Sequence, residues 1–185
     1  MMKKLLLAVS VAIMSVSAGS VGVRAADFTL SSPDIQEQQR LPESMVFKGF
    51  GCEGGNVSPA LSWAGAPEGT KSFAITMYDP DAPTGSGWWH WVAFDIPASV
   101  TSLDAGASRG AMPDGTIESR TDYGTYGFGG ACPPVGDKDH HYILSVYALD
   151  VATLGVDKDA SAALVGFNIH AHTIGKASIT GLYSR

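Results

Sequence analysis

Cysteine is almost missing from this chain: Cys52 and Cys132 are the only two in 185 residues. They form no C-x-x-C pair, which excludes a four-sulfur zinc site. Basic side chains are scarce as well, 12 Lys and Arg against 18 Asp and Glu, with no Lys/Arg-rich run. Such a surface repels phosphate backbones and anionic lipid faces, which argues against a nucleic-acid partner. No H-x-x-x-H or H-E-x-x-H metal spacing occurs, and a Gly-x-Ser-x-Gly nucleophile turn is not expected. Long hydrophobic runs are limited to one. Leu5 to Ala18 carries no charge and follows Lys3 and Lys4. At fourteen residues it is short of the ~20 that a membrane-spanning helix needs.

That run has the form of a secretory signal, with Val23 and Ala25 allowing cleavage before Ala26 and Ala18 as an alternative site. A membrane anchor or a buried first helix is the other reading. With residues 1–25 assigned to the signal, residues 26–185 form one exported domain, expected in the periplasm and without stable membrane anchoring. Losing Lys3, Lys4 and Arg24 leaves 9 bases against 18 acids, a net charge of −9. Export to an oxidising compartment favours a Cys52–Cys132 disulfide over two buried thiols. In the chain-entropy picture, closing a loop of about 80 residues contributes at most about 4–5 kcal/mol.

Strand patterns dominate the rest. Ser72 to Tyr78 alternates Phe73, Ile75 and Met77 against Ala74, Thr76 and Tyr78, while His90–Ile96 and His141–Leu149 are apolar on both sides. Runs of that kind read as central strands covered on two faces. Shorter candidates are Asp27–Leu30, Met45–Phe47, Ala60–Trp63 and Ser178–Tyr183. The spacing predicts one helix from Ser161 to Lys176, capped by Asp159 or Ser161, with Leu164, Phe167, Ala171 and Ile174 facing the core. His170 and His172 point about 200° apart on it, so they cannot hold one metal ion together. The expected class is mainly β, two packed sheets.

Chemistry-bearing residues gather in two loops. Asp79-Pro80-Asp81-Ala82-Pro83-Thr84-Gly85-Ser86-Gly87-Trp88-Trp89-His90-Trp91 packs two carboxylates, two prolines, three tryptophans and a histidine between two strands. The prolines stiffen the run and aim the carboxylates. Ala82–Pro83 is a candidate cis peptide. An Asp79–His90 pair is expected to fix the imidazole tautomer and raise its pKa. Asp81 is either a turn cap or part of the site. The second loop, Gly127 to Tyr142, again leads through Gly and Pro to a histidine at the head of a strand. Its glycine N–H groups are candidates to receive an anion.

The Asp79-Pro80-Asp81-Ala82-Pro83 run, Trp88-Trp89-His90-Trp91, Pro133-Pro134-Val135-Gly136 and His140-His141-Tyr142 together resemble the phosphatidylethanolamine-binding protein (PEBP) family, also called Raf kinase inhibitor protein-like. The match is closest to its exported bacterial branch and runs from about Phe28 to Tyr183. The resemblance implies a PEBP-like antiparallel β-sandwich, a large central sheet plus a smaller one, with one or two C-terminal helices. It also implies a cavity for phosphate, acetate or phospholipid head groups lined by Asp79, Pro83, Trp88, His90, Gly130, Pro133 and His140, with Asp81 at its rim. The chain departs from eukaryotic members in a shorter Pro83–Trp88 loop, in Cys132 at a glycine position, and in ending at Arg185 before the helix that lids the cavity there.

The expected function is therefore an exported, non-enzymatic binder of a small anion or phosphorylated head group, with no cofactor and no metal. Protonation of His90 or His140 is expected to add charge-assisted bonds, so that binding tightens as pH falls toward 6. One alternative is an inhibitor or signalling modulator acting through its surface on a protein partner, and another is a His/Asp-based hydrolase. A family-like homodimer is a further expectation.

Overall fold

A computed structural model describes residues 27–185; the signal-like segment lies outside them. In chain order the elements are β1 (Thr29–Ser31), β2 (Gln39–Arg40), β3 (Lys48–Gly49), β4 (Cys52–Glu53), β5 (Leu61–Ala64), β6 (Ser72–Asp79), β7 (Trp88–Pro97), β8 (Ser102–Leu103), β9 (Ile117–Glu118), β10 (His140–Leu149), α1 (Ala162–His172) and β11 (Thr173–Tyr183). Strands apolar on both sides need cover on both faces, and β6, β7 and β10 receive it at the centre of a six-stranded sheet ordered β2-β11-β10-β6-β7-β9. All pairings in it are antiparallel except the two-residue contact of β2 with β11.

One face of this sheet presents Phe73, Ile75, Met77, Trp91, Ala93, Tyr142, Leu144 and Val146 to a core closed by the three-stranded sheet β1-β5-β8 and the loops beside it. The opposite face presents Ala74, Val92, Phe94 and Leu149 to α1. The mainly β sandwich expected from the strand patterns is thus the observed architecture, with a single α-helix and one short 3-10 turn, Glu43–Met45, among the described residues.

That helix differs from the sequence expectation. Ser161 caps it as expected, its Oγ accepting from the Leu164 N–H at 3.2 Å. It ends at His172 rather than Lys176, because Gly175 and Lys176 pair with Ala148 and Tyr147 in β11. The buried stripe is Ala162, Val165 and Ile169, whereas Leu164, Phe167 and Ile174 are exposed, Phe167 at 71%. Both stripes have i, i+3, i+7 spacing, so periodicity alone could not choose between them.

Strand β7 carries the irregularity that shapes the site. Asp79 stands opposite Trp88 and Tyr78 opposite Trp89, but Met77 stands opposite Trp91, leaving His90 unpaired in a β-bulge. A bulge of this kind re-aims a side chain without ending the strand. Trp89 consequently packs toward the helix side, while His90 and Trp91 both face the two-sheet side.

Candidate functional site

Asp79 ends β6 and is 2% exposed. Its Oδ1 accepts the Asp81 N–H at 2.8 Å, a local Asx-type turn, and Pro80 and Pro83 fix φ on either side. Its Oδ2 lies 2.7 Å from Nδ1 of His140, the equally buried first residue of β10. Nε2 of that ring is 3.3 Å from Asp137 Oδ2, so carboxylates hold both of its edges. Where the return loop meets β7, Gly87 has φ +67°, and a Cβ there would fall 2.2 Å from Tyr78 Oη and 2.6 Å from the Asp79 carbonyl oxygen. Only glycine fits that approach.

His90 faces the same space from the bulge. Its Nδ1 donates to the Gly129 carbonyl at 2.9 Å, with the Gly130 carbonyl at 3.1 Å. Its Nε2 is buried and meets no partner. Burial holds this imidazole below its ordinary pKa, against the opposing pull of the Gly129 and Gly130 carbonyls and of Asp79. Tyr142 and Tyr123 stand edge-on to the ring, 5.1 and 5.5 Å between centroids, and burial pushes both phenols upward.

Asp79, Pro83, Trp88, His90, Pro133 and His140 line one open cavity of about 200 Å³. Six buried side-chain polar atoms lack a partner among the described residues, and three of them, Trp88 Nε1, His90 Nε2 and Tyr142 Oη, belong to residues of this one lining. Nearly all buried polar atoms in folded proteins are satisfied, so three on the residues of one lining set this region apart.

A disulfide and a hydrogen-bonded guanidinium fix the mouth. Cys52 and Cys132 form a disulfide across 80 residues. Beside it the Arg185 guanidinium donates to the carbonyls of Pro133, Gly51 and Phe50 at 2.6, 2.8 and 3.3 Å. Both links join the β3–β4 turn to the Pro133 loop. No group of three or more His, Cys, Asp or Glu able to hold a metal ion occurs among the described residues.

The chain as a whole matches known proteins. The family model for phosphatidylethanolamine-binding proteins covers residues 31–184. The chain belongs to that family. It is 52% identical to the UPF0098 protein YbcL of Escherichia coli strain K12, over 98% of each chain. It is 51% identical to YbhB of the same organism, over 84% of this chain and 99% of YbhB. The crystal structure of E. coli YbcL superposes with a TM-score of 0.85 at 53% identity, covering 86% of this chain and 99% of that one.

Within this PEBP-family chain several sequence expectations need correction. Asp79 pairs with His140 rather than His90, because the bulge gives the His90 Nδ1–H to carbonyls of the glycine loop. The expected rise in the His90 pKa is accordingly a fall. Ala82–Pro83 is trans, as is every described peptide bond. Gly130 lies behind the cavity, not on it. Its N–H donates to Asn56 Oδ1 at 2.8 Å, the Gly129 N–H donates to the His90 carbonyl, and a Cβ on Gly130 would fall 2.1 Å from the Met45 carbonyl oxygen. The glycines therefore orient His90 and offer no N–H pair to an anion. Asp81 turns away from the lining to accept from the backbone N–H and Nδ1 of His141, and its carboxyl is held below the usual range by those bonds despite its desolvation. Of the three tryptophans only Trp88 walls the cavity; Trp89 packs toward α1, and Trp91 is in the core with its Nε1–H on Glu118 at 2.7 Å.

A Gly-x-Ser-x-Gly spacing does occur once, from Gly106 to Gly110. It lies between β8 and β9, where Ser108 Oγ donates to Glu118 and accepts from the Phe128 N–H, so it serves the loop and no strand-to-helix elbow. Sequence reasoning passed over Tyr142, Tyr123, Phe50, Asn56 and Arg185. Tyr142 was the readable one, since it alternates with His140 along a recognisable strand.

Proposed function

We propose that the cavity binds the acid group of a small phosphorylated or carboxylic ligand, as a free anion or a head group, and that the protein acts by binding rather than catalysis. The observation that supports this reading is that Trp88 Nε1, Tyr142 Oη and His90 Nε2, three unpartnered buried polar atoms, belong to residues lining one cavity with the buried Asp79–His140 pair. A cavity of about 200 Å³ suits one such group rather than a whole lipid or peptide. The exposed apolar ring of Phe50 on the lining leaves room for an attached apolar portion to remain outside. Among lining residues, Cys132 is oxidised and the Thr84 hydroxyl donates to the Gly87 carbonyl, so neither stands as a nucleophile for the Asp–His pair. Export is part of the proposal: the signal-like start supports it, and the YbcL match extends over that start whereas the YbhB match covers 84% of the chain.

Calorimetric titration with inorganic phosphate and with acetate tests this. Trp88→Phe and Tyr142→Phe each remove one donor and are expected to weaken binding about tenfold, the worth of one hydrogen bond. Unchanged affinity in both variants would show that the ligand sits elsewhere.

A further inference from the structure

Helix α1 does not cover the whole sheet face on which it packs. Ala162, Val165 and Ile169 are its buried residues, set against Ala74, Val92, Phe94 and Leu149. Beside that contact a groove of about 660 Å³ opens between the helix and β6, β7, β10 and β11, on the opposite side of the sheet from the two-sheet core. Gly166 lines it from the interior of α1, where glycine is less favourable than alanine because of its backbone entropy. No clash demands that glycine: a Cβ there would stand 3.5 Å from the Trp89 ring, an ordinary contact. What the missing side chain leaves is space. The floor of this space is polar, since Thr76 lines it, is 2% exposed, and has a hydroxyl that bonds to no group among the described residues. Its cross-strand neighbour Ser145 shares a 2.8 Å hydrogen bond with Ser178 instead. Buried hydroxyls are ordinarily partnered, so this one stands ready for a group from outside. Trp89 and Tyr147 supply aromatic lining. Lys176 stands opposite Tyr147 with its ammonium 5.2 Å from the ring centroid, and His170 adds a second basic side chain from α1. Acids outnumber Lys and Arg 18 to 12 in the chain, yet no Asp or Glu lines this groove.

We propose that this groove is a second ligand site, one for a small aromatic carboxylic acid. The ring takes the space left open at Gly166 and packs on Trp89 and Tyr147, as aromatic groups do in offset or edge-on contact. The carboxylate pairs with the Lys176 ammonium at the exposed edge, beside His170, and a polar atom on the ring meets the Thr76 hydroxyl. Mostly apolar walls with a few placed polar groups are the usual make-up of a small-molecule site, and the volume is in the usual range. The lining shares no residue with the Asp79–His140 cavity, so each site is tested without the other.

Indoleacetate is the probe, because it joins an aromatic ring, one ring N–H for Thr76 and a carboxylate. Indoleacetamide and tryptamine keep the ring and replace the acid by a neutral and a cationic group. Each is titrated into the protein while its backbone amide NMR signals are followed. Saturable shifts at Thr76, Gly166 and Lys176 are expected with indoleacetate. Indoleacetamide should bind about two- to fivefold more weakly, the worth of an exposed ion pair, and tryptamine more weakly still. Lys176→Gln is expected to narrow the difference between acid and amide. Gly166→Met places a side chain in the groove on a residue better suited to a helix, and should weaken indoleacetate by about tenfold or more. Lys176 is exposed, so its variant remains decisive should Gly166→Met fail to fold. Shifts confined to the Asp79–His140 cavity, unchanged affinity in Gly166→Met, equal affinity for acid and amide, or no binding at all would each overturn the proposal. A wild-type dimer in sedimentation that Gly166→Met dissociates would assign the groove to a second copy of the chain and overturn it as well.

Discussion

Removing His140 tests the electrostatic centre of the cavity. The Asp79–His140 contact is 2.7 Å long, and both side chains are 3% exposed. In His140→Ala the Asp79 carboxylate keeps only the Asp81 N–H, and water reaches it poorly. Breaking a buried pair by deleting one partner costs about 3–5 kcal/mol, because the remaining charge is uncompensated. For a domain of this size each kcal/mol moves Tm by about 2–4 °C, so the expected loss is roughly 6–20 °C. Asp79→Asn keeps an oxygen for the Asp81 N–H and removes the charge, and it is expected to cost only about 1–2 kcal/mol. In the double variant the alanine at 140 no longer abandons a charge, so its penalty shrinks and the coupling reaches about 1–3 kcal/mol. Chemical denaturation of all four proteins reads the cycle. A His140→Ala penalty below about 1 kcal/mol, or strict additivity, would refute the pairing as described.

Other outcomes follow from the same geometry. Burial lowers the His90 pKa in the fold, so the unfolded chain binds a proton that the folded one refuses. Stability is therefore lost as pH falls below about 6.5, by up to about 1.4 kcal/mol per pH unit, and His90→Phe should flatten that slope in urea titrations; an unaltered slope counts against it. The Tyr142 and Tyr123 phenols are raised, so the unfolded chain releases protons first and stability declines as pH rises through about 10. Tyr142→Phe should soften that alkaline loss in thermal melts, and an equal loss would point to other groups. Replacing both Cys52 and Cys132 with Ser should lower stability by about 2–5 kcal/mol in denaturant titrations, and a change under ~1 kcal/mol would mean the closed loop constrains the unfolded chain little.

The central strands were legible because their information is local. Ser72–Tyr78 and His141–Leu149 alternate or run apolar over enough residues to require a sheet covered on both faces, and they sit within one residue of β6 and β10. Two-residue strands such as Gln39–Arg40 left no such trace, since their pairing partner lies more than 140 residues away in β11. The site was legible as a set of residue types and illegible as a set of partners. Asp79 and His90 share one loop in sequence, yet the Asp79 partner is 61 residues distant and the His90 partners are 39 and 40 distant. Asn56, which fixes Gly130 from 74 residues away, looked like ordinary turn sequence. The disulfide was legible for another reason, because two cysteines admit only one pairing.

The bulge at His90 makes β7 a strand with two reading frames. Just after the bulge the odd positions Trp91 and Ala93 face the two-sheet core; before it, even positions do, so Trp88 and His90 share a side that Trp89 does not. The cavity therefore depends on a residue count as much as on residue identities. Deleting His90 would restore a regular ladder with Met77 opposite Trp91, Tyr78 opposite Trp89 and Asp79 opposite Trp88. Both indoles would keep their sides and only the imidazole would leave the cavity, with every side chain of the distal core left where it stands. Strand length at this one position thus decides whether an imidazole stands in the cavity, without altering the pairing on either side of it.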